Sequence, residues 1–166
     1  APQTAEPREY ALERHTLHMG TLINAKLFGA TPEAVKHYAI VFEDKVTDYD
    51  DLMSVHKDTP LNEVNRRAGE PVEVPCEIAD MTKQALAIAD ETNGAFEPMI
   101  GPVVNLWKIG FGGEHVPSDE AIAEAVSKVD RSKVRVWREG GRCMMQIAKG
   151  QSIDMGAIAK GFIGQR

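Results

Sequence analysis

The stretch 151–161 places an acid, several small residues and a lysine close together in the sequence. Asp154 directly follows the apolar Ile153, and Lys160 comes one or two helical turns later, with small residues between them. Small side chains let a backbone approach a bulky ligand closely, and Lys160 could place a positive charge on that ligand. If a helix begins near Met155, its first N–H groups would also favour a phosphate or a carboxylate.

The same pattern also fits a strand, a tight turn and the start of an ordinary buried helix with an exposed lysine. The stretch matches neither the phosphate-binding GxxxxGK[ST] loop nor the dinucleotide-binding GxGxxG pattern. These residues alone therefore leave the ligand-binding and the structural interpretations open.

Composition limits the classes of function. The 166 residues are 43% hydrophobic and 27% charged, which fits one globular domain with a core of its own. The formal net charge of −6 gives no general basic field for nucleic acid or an anionic membrane, so an anionic ligand needs a local site. No apolar run approaches the roughly 20 residues of a membrane helix, so we expect no membrane span.

The first residues differ in character from the rest. Residues 1–7 are polar and contain two prolines, as in chains that follow a removed export signal, although a chain trimmed for other reasons would look the same. We expect an extended N-terminal leader over 1–14, a folded domain over 15–166, and a periplasmic or otherwise exported protein.

The two cysteines, Cys76 and Cys143, are far apart and lack the spacing of metal ligands, so no zinc site is predicted. Neither has an adjacent His or Lys that would lower its pKa. We expect each to be a small buried apolar side chain rather than a disulfide partner or a nucleophile.

Periodicity predicts the first elements. Alternation predicts one long strand over 16–28, in which Gly20 marks a bulge or a close ligand approach. Thr31 and Pro32 then begin a helix whose apolar stripe runs to Met53. The acidic residues at 48–51 are interpreted as a solvated face.

The middle of the chain is less regular. We expect a short helix over 61–65, an extended connector over 69–75 and a longer helix over 76–92 that Asn93-Gly94 caps. Residues 95–108 are apolar but contain two prolines, so they cannot form a regular central strand. Either a wall for a flat ligand or a long packed loop fits this segment.

A glycine-rich turn over 110–115 and a helix that Pro117-Ser118 opens follow next. Residues 133–139 and 142–149 then form a hairpin around Gly140-Gly141, and a third strand leads to Asp154. With roughly four strands, four helices and no βαβ repeat, the predicted class is α+β.

Four motifs, in this order, resemble one family, the FAD:protein FMN transferases or ApbE family. Residues 19–21 are similar to its early MGT, and 52–65 are similar to its LMS…DS…N segment. Residues 94–107 are similar to its GAFDP…GP.VNLW run, and 153–161 resemble its D.GGIAKG box. The resemblance covers the chain from about residue 15 to its last residue.

The resemblance implies a T-fold-like, mixed and mostly antiparallel sheet with packed helices. It also implies an enzyme that takes FAD and Mg²⁺, transfers FMN to a threonine hydroxyl of a target redox protein and releases AMP. Some members of the family only hydrolyse FAD to FMN and AMP.

The same resemblance assigns roles to residues. Three groups of residues are expected to bind FAD: Met19, Gly20 and Thr21 in its cleft, Ala95, Phe96 and Glu97 at its adenosine part, and Asp154, Gly156 and Lys160 at its polar portion. Asp154 and Lys160 are also the catalytic candidates. The Ala157 carbonyl is expected to be a main-chain Mg²⁺ ligand, since Mg²⁺ prefers oxygen.

Two features depart from the family pattern. Glu97 stands where the family usually has Asp. The family sequences also continue well past the box at 153–161, through motifs that supply further metal ligands. We therefore expect an apparently truncated, N-terminal portion of a transferase that is inactive alone. Its expected partners are the missing C-terminal part and a flavin-accepting redox subunit, with no nucleic acid.

Two other functions remain open. One is a non-enzymatic flavin-binding or interaction domain that keeps the platform without the metal site. The other is an FAD pyrophosphatase that yields FMN and AMP without an acceptor protein.

Overall fold

A computed structural model describes residues 9–18, 20–54, 57–108 and 115–165. Met19 and most of the predicted glycine-rich turn lie outside these ranges. The chain divides into two compact units, one ending at Asp51 and the other beginning at Leu52, and each is described by itself. In the described parts of the chain, every helix is too short or too polar to span a bilayer.

The first unit begins with a hairpin. Strands β1 (Tyr10–His18) and β2 (Thr21–Gly29) are antiparallel, with His18 paired to Thr21. The prediction of one strand over 16–28 is wrong, and Gly20 lies in the connecting turn with φ +69° rather than in a bulge. The alternation of apolar residues suggested one continuous strand, but Leu17 and Leu22 oppose each other across the hairpin and are both exposed.

Helix α1 (Pro32–Met53) follows the hairpin, and its predicted start is confirmed. The Ala34 amide donates to the Thr31 Oγ1 at 3.1 Å, which satisfies one N–H group of the first turn. The interpretation of 48–51 as a solvated face is wrong for Asp50, which is 3% exposed and lies 3.3 Å from the His18 Nδ1.

The second unit contains the remaining helices and a three-stranded antiparallel sheet of order β3-β5-β4. Its elements are α2 (Pro60–Arg66), β3 (Val72–Val74), α3 (Cys76–Glu91), a 3₁₀ turn (Pro98–Ile100), α4 (Gly101–Trp107), α5 (Asp119–Ser127), a second 3₁₀ turn (Arg131–Lys133), β4 (Arg135–Glu139), β5 (Arg142–Gln146) and α6 (Gly156–Gly164). Its core includes fully buried side chains from α2, α3, β5 and the segment before α6: Leu61, Met81, Met145, Ile147 and Ile153. The predicted α+β class and the mostly antiparallel sheet are confirmed.

Several local predictions in this unit are also confirmed. The short helix expected over 61–65 is present as α2, and the helix that Pro117-Ser118 opens is α5; Thr59 and Ser118 cap them with their side-chain oxygens. Asn93 and Gly94 both have positive φ after α3, and the Gly94 amide donates to the Ala89 carbonyl at 2.8 Å. The β4–β5 hairpin turns at two glycines, both with positive φ.

Three other predictions are corrected. The connector over 69–75 is extended as predicted, but its residues 72–74 form a strand, β3, which pairs with β5. Residues 98–107 are helical rather than irregular, because each proline stands in a first helical turn, where its missing N–H costs nothing. Residues 151–155 form no strand.

The prediction for the cysteines is wrong too. Cys76 and Cys143 form a disulfide. Their partnership follows from the sheet register: Val74 pairs with Cys143 across β3 and β5, and Cys76 begins α3 just after β3. The distance in sequence concealed this proximity.

Candidate functional site

The segment 151–155 is held by contacts from other elements instead of by a strand partner. Asn65, near the end of α2, pairs with both backbone polar groups of Ile153. Its Nδ2 donates to the Ile153 carbonyl at 3.1 Å, and its Oδ1 accepts from the Ile153 amide at 2.8 Å. Ile153 is itself fully buried, so these two bonds satisfy groups that are away from water.

The segment also meets the 94–107 motif. The Asp154 amide donates to the Pro98 carbonyl at 2.8 Å. At Gly101, an added Cβ would lie 2.5 Å from the Ser152 carbonyl oxygen, so the two backbones approach more closely than any side chain permits. Three of the four motifs therefore converge in the second unit, through Asn65, through 98–101 and through 152–154.

Asp154 is positioned at the start of α6. Its Oδ1 accepts from the Gly156 amide at 2.8 Å, and the side chain is half-buried. The Ile158 and Ala159 amides both donate to the Met155 carbonyl. The predicted helix start near Met155 is thus confirmed, but several amides at the start of this helix already donate hydrogen bonds within the chain.

Three other candidate residues of the 153–161 box are exposed. Gly156, Ala157 and Lys160 all lie on the surface of α6, and spacings of three and four place Lys160 on the same face as the other two. In a helix the Ala157 carbonyl pairs with the amide of Gly161, and, among the described residues, nothing lies within 4 Å of the position where a Gly161 Cβ would stand.

Glu97 has two structural contacts. Its Oε1 accepts from the Met99 amide at 3.0 Å and so caps the first 3₁₀ turn, while its Oε2 pairs with the Arg131 Nη1 at 2.9 Å. The longer side chain that departs from the family pattern is therefore anchored. Of the neighbouring residues, Ala95 is exposed and Phe96 is half-buried.

Arg131 connects Glu97 to α3. Its Nε donates to the Asp90 Oδ1 at 2.7 Å, and hydrogen bonds to Asp90 and then to Glu97 raise the pKa of the guanidinium above its ordinary value. The three side chains border a cavity of about 450 Å³ together with residues of α3 and of the loop after α5. Arg131 was missed from the sequence because its two carboxylate partners lie 41 and 34 positions away.

The MGT segment lies in the first unit. Gly20 is exposed in the hairpin turn and Thr21 is half-buried at the start of β2, while Met19 lies outside the described residues. The convergence described above therefore involves the second, third and fourth motifs.

A magnesium site is not complete among the described residues. Over these ranges no group of three His, Cys, Asp or Glu side chains could hold a metal ion. The Ala157 carbonyl, the one ligand expected from the sequence, would supply a single oxygen, whereas Mg²⁺ requires octahedral coordination. The roles expected of all these residues toward FAD and Mg²⁺ stay predictions.

A comparison with models of protein families shows which family this chain belongs to. The model of the ApbE family matches residues 19–166. The chain belongs to the ApbE family. Among curated ApbE relatives, the FAD:protein FMN transferase of Treponema pallidum is 34% identical over 98% of this chain and 46% of its own length. The enzyme of the same name from Salmonella typhimurium is 29% identical over 98% and 48%.

Solved structures show the same likeness. The ApbE protein of Thermotoga maritima matches with a TM-score of 0.81 and 26% identity, over 93% of this chain and 50% of its own. The flavin transferase ApbE from Vibrio cholerae matches with a TM-score of 0.77 and 25% identity, over 94% and 51%. The chain spans about half the length of these relatives.

Proposed function

We propose that this ApbE chain carries the FAD-binding portion of an FAD:protein FMN transferase. The observation that carries the proposal is the meeting of three family motifs around Asp154, in a chain whose relatives bear that activity in their names. Because the chain spans about half of those relatives, we assign the complete reaction to a polypeptide of their length.

The proposed reaction is a phosphoryl transfer. A threonine oxygen of the acceptor forms a bond to the phosphorus of the FMN moiety, the pyrophosphate bond to AMP breaks, and the hydroxyl proton is released. Lys160, exposed on α6, would bind the anionic portion of FAD, and a fixed charge at that position stabilises negative charge that develops there. Asp154 would orient the polar portion of FAD from its fixed place at the α6 N-terminus.

We also propose that the reaction depends on Mg²⁺, with the Ala157 carbonyl as one ligand. The exposure of Ala157 and the open space beside Gly161 support the assignment, and the remaining ligands would come from outside the described residues. A bound Mg²⁺ would neutralise charge on the phosphates.

Export to an oxidising compartment such as the periplasm is a further part of the proposal. The Cys76–Cys143 disulfide supports it, because disulfides persist in such compartments and are rare in the reducing cytosol.

The test measures FAD binding by calorimetry and AMP release by chromatography, in the natural full-length product with FAD, Mg²⁺ and an acceptor flavoprotein. We expect AMP together with FMN covalently bound to the acceptor, and loss of both with EDTA. Lys160→Ala should slow AMP release by about 10²-fold, as is usual when one electrostatic contact to a transition state is lost. Lys83→Ala, an exposed lysine on α3, is the charge-matched control and should not change the rate.

The other outcomes separate the alternatives. AMP without labelled acceptor would indicate an FAD pyrophosphatase. FAD binding without AMP would indicate a non-enzymatic flavin-binding domain. Failure to bind FAD would overturn the proposal.

A further inference from the structure

We propose that Asn65 is the positioning residue for Asp154 and the first turn of α6. This inference rests on the proposed function, since it assigns Asn65 a part in FAD binding without contact with FAD. Its basis is the pair of hydrogen bonds, of 2.8 and 3.1 Å, between the Asn65 amide and Ile153, the residue directly before Asp154.

The chemistry of the contact requires an amide. A backbone residue presents one donor and one acceptor, and a side-chain amide is a neutral group that offers both an acceptor and a donor. Asn65 therefore takes the place of a strand partner at Ile153. This role of Asn65 matters because residues 151–155 lie in no sheet, so no ladder of backbone hydrogen bonds fixes the register or direction of the segment.

Asn65 is itself held firmly. It lies on α2, which the buried Thr59 caps. The Thr59 Oγ1 accepts from the Asn62 amide at 3.1 Å and donates to the Ser54 carbonyl at 2.9 Å. Leu61 and Val64, on the same helix, are almost completely buried. The amide of Asn65 thus extends from a helix that is anchored by its cap and by the core.

Other contacts hold the two sides of Ile153. On the N-terminal side, the Gln151 side chain accepts from the Ala148 amide at 2.8 Å and donates to the Asp130 carbonyl at 2.7 Å. On the C-terminal side, the Asp154 amide donates to the Pro98 carbonyl. Asn65 supports the residue between these points, so its loss should let Asp154 shift while the rest of the fold persists.

The first experiment compares FAD affinity, by calorimetry, in the wild type, Asn65→Ala and Asn62→Ala, at a temperature where circular dichroism shows all three folded. Asn62 is the matched control: it is an asparagine on the same helix whose Nδ2 donates to the Lys57 carbonyl at 2.6 Å, away from Ile153. We expect Asn65→Ala to weaken FAD binding by about tenfold or more and Asn62→Ala to leave it unchanged.

A second variant gives a readout that general destabilisation would not produce. Asn65→Asp keeps the acceptor for the Ile153 amide but, when ionised, places a carboxylate against the Ile153 carbonyl. Protonation restores a donor, and the repulsive contact together with partial burial should raise the pKa of the new carboxyl. FAD affinity of Asn65→Asp should therefore recover, relative to the wild type at each pH, as the pH falls from 8 toward 5.

Hydrogen exchange of the ligand-free protein separates this inference from the proposed function. Asn65→Ala should accelerate exchange at the amides of 153–156 while α3 keeps its protection. If the wild type binds FAD and Asn65→Ala binds it equally well, the positioning role is overturned. If the wild type fails to bind FAD, the proposed function is overturned. If Asn65→Ala leaves hydrogen exchange at 153–156 unchanged, the support of Ile153 by Asn65 is overturned.

Discussion

Gly101 shows how much one missing side chain determines at this site. An added Cβ would meet the Ser152 carbonyl oxygen and Oγ at 2.5 Å and the carbonyl carbon at 2.8 Å. Two of these three atoms are backbone, which cannot rotate away as a flexible side chain can. The close contact of the third and fourth motifs therefore depends on glycine at this position.

We expect Gly101→Ala to lower the free energy of unfolding by about 1–3 kcal/mol or more, the usual range for overpacking in a filled region. Urea denaturation would measure the change. Gly161→Ala is the control, because nothing lies within 4 Å of its added Cβ; in a helix interior, alanine should be neutral or stabilising by up to about 1 kcal/mol. Equal stability of Gly101→Ala and the wild type would contradict the close approach.

At the scale of elements, the disulfide fastens the start of α3 to β5. Cys143 is 2% exposed, and Cys76 lies two residues after Val74, the residue that pairs with Cys143. The two cysteines are 67 positions apart in the sequence, and the loop that the bond closes includes α3, α4 and α5. Closing so long a loop restricts the unfolded chain strongly.

We expect reduction of the disulfide to lower the free energy of unfolding by about 4 kcal/mol, according to the loop-entropy relation for this separation. Urea denaturation with and without a thiol reductant, with mass spectrometry to count free thiols, would measure the loss. The double variant Cys76→Ser/Cys143→Ser is the control and should not respond to reductant. An unchanged midpoint for a fully reduced wild type would contradict the expectation.

At the scale of the whole molecule, the two compact units differ in how deeply their strands are buried. In β1 and β2, every described residue is exposed or intermediate, whereas β5 contains the buried Cys143 and Met145. A two-stranded hairpin with little buried surface is marginally stable. Local opening should therefore cost much less free energy in the hairpin than in the sheet of the second unit.

Hydrogen exchange followed by mass spectrometry tests this difference. We expect the paired amides of β1 and β2 to exchange at least tenfold faster than those of β5 and of the middle of α3, because exchange from local opening depends on the buried contacts that are lost. The amides of α4, a short helix that begins at the buried Gly101, should exchange at an intermediate rate. Equal protection of the hairpin and β5 would mean that the hairpin is stabilised by contacts beyond the described residues.

Local signals in the sequence predicted much of the second unit. Pro117-Ser118 at the start of α5, Asn93-Gly94 after α3 and Gly140-Gly141 between β4 and β5 each act through their nearest neighbours, so their effects could be read directly. The hairpin at Gly20 was missed because alternation of apolar residues continues through the turn while the inward face changes from even to odd positions.

The sequence by itself determined the α+β class, the helix caps, the family and the candidate site residues, because each follows from residues that are neighbours in the chain or from a motif. Only the tertiary structure decided the Cys76–Cys143 bond, the contacts of Glu97 with Arg131 and the support of Ile153 by Asn65. These depend on groups 34 to 88 positions apart, and hydrogen bonds and disulfides form only where the packed fold brings such groups within a few ångströms.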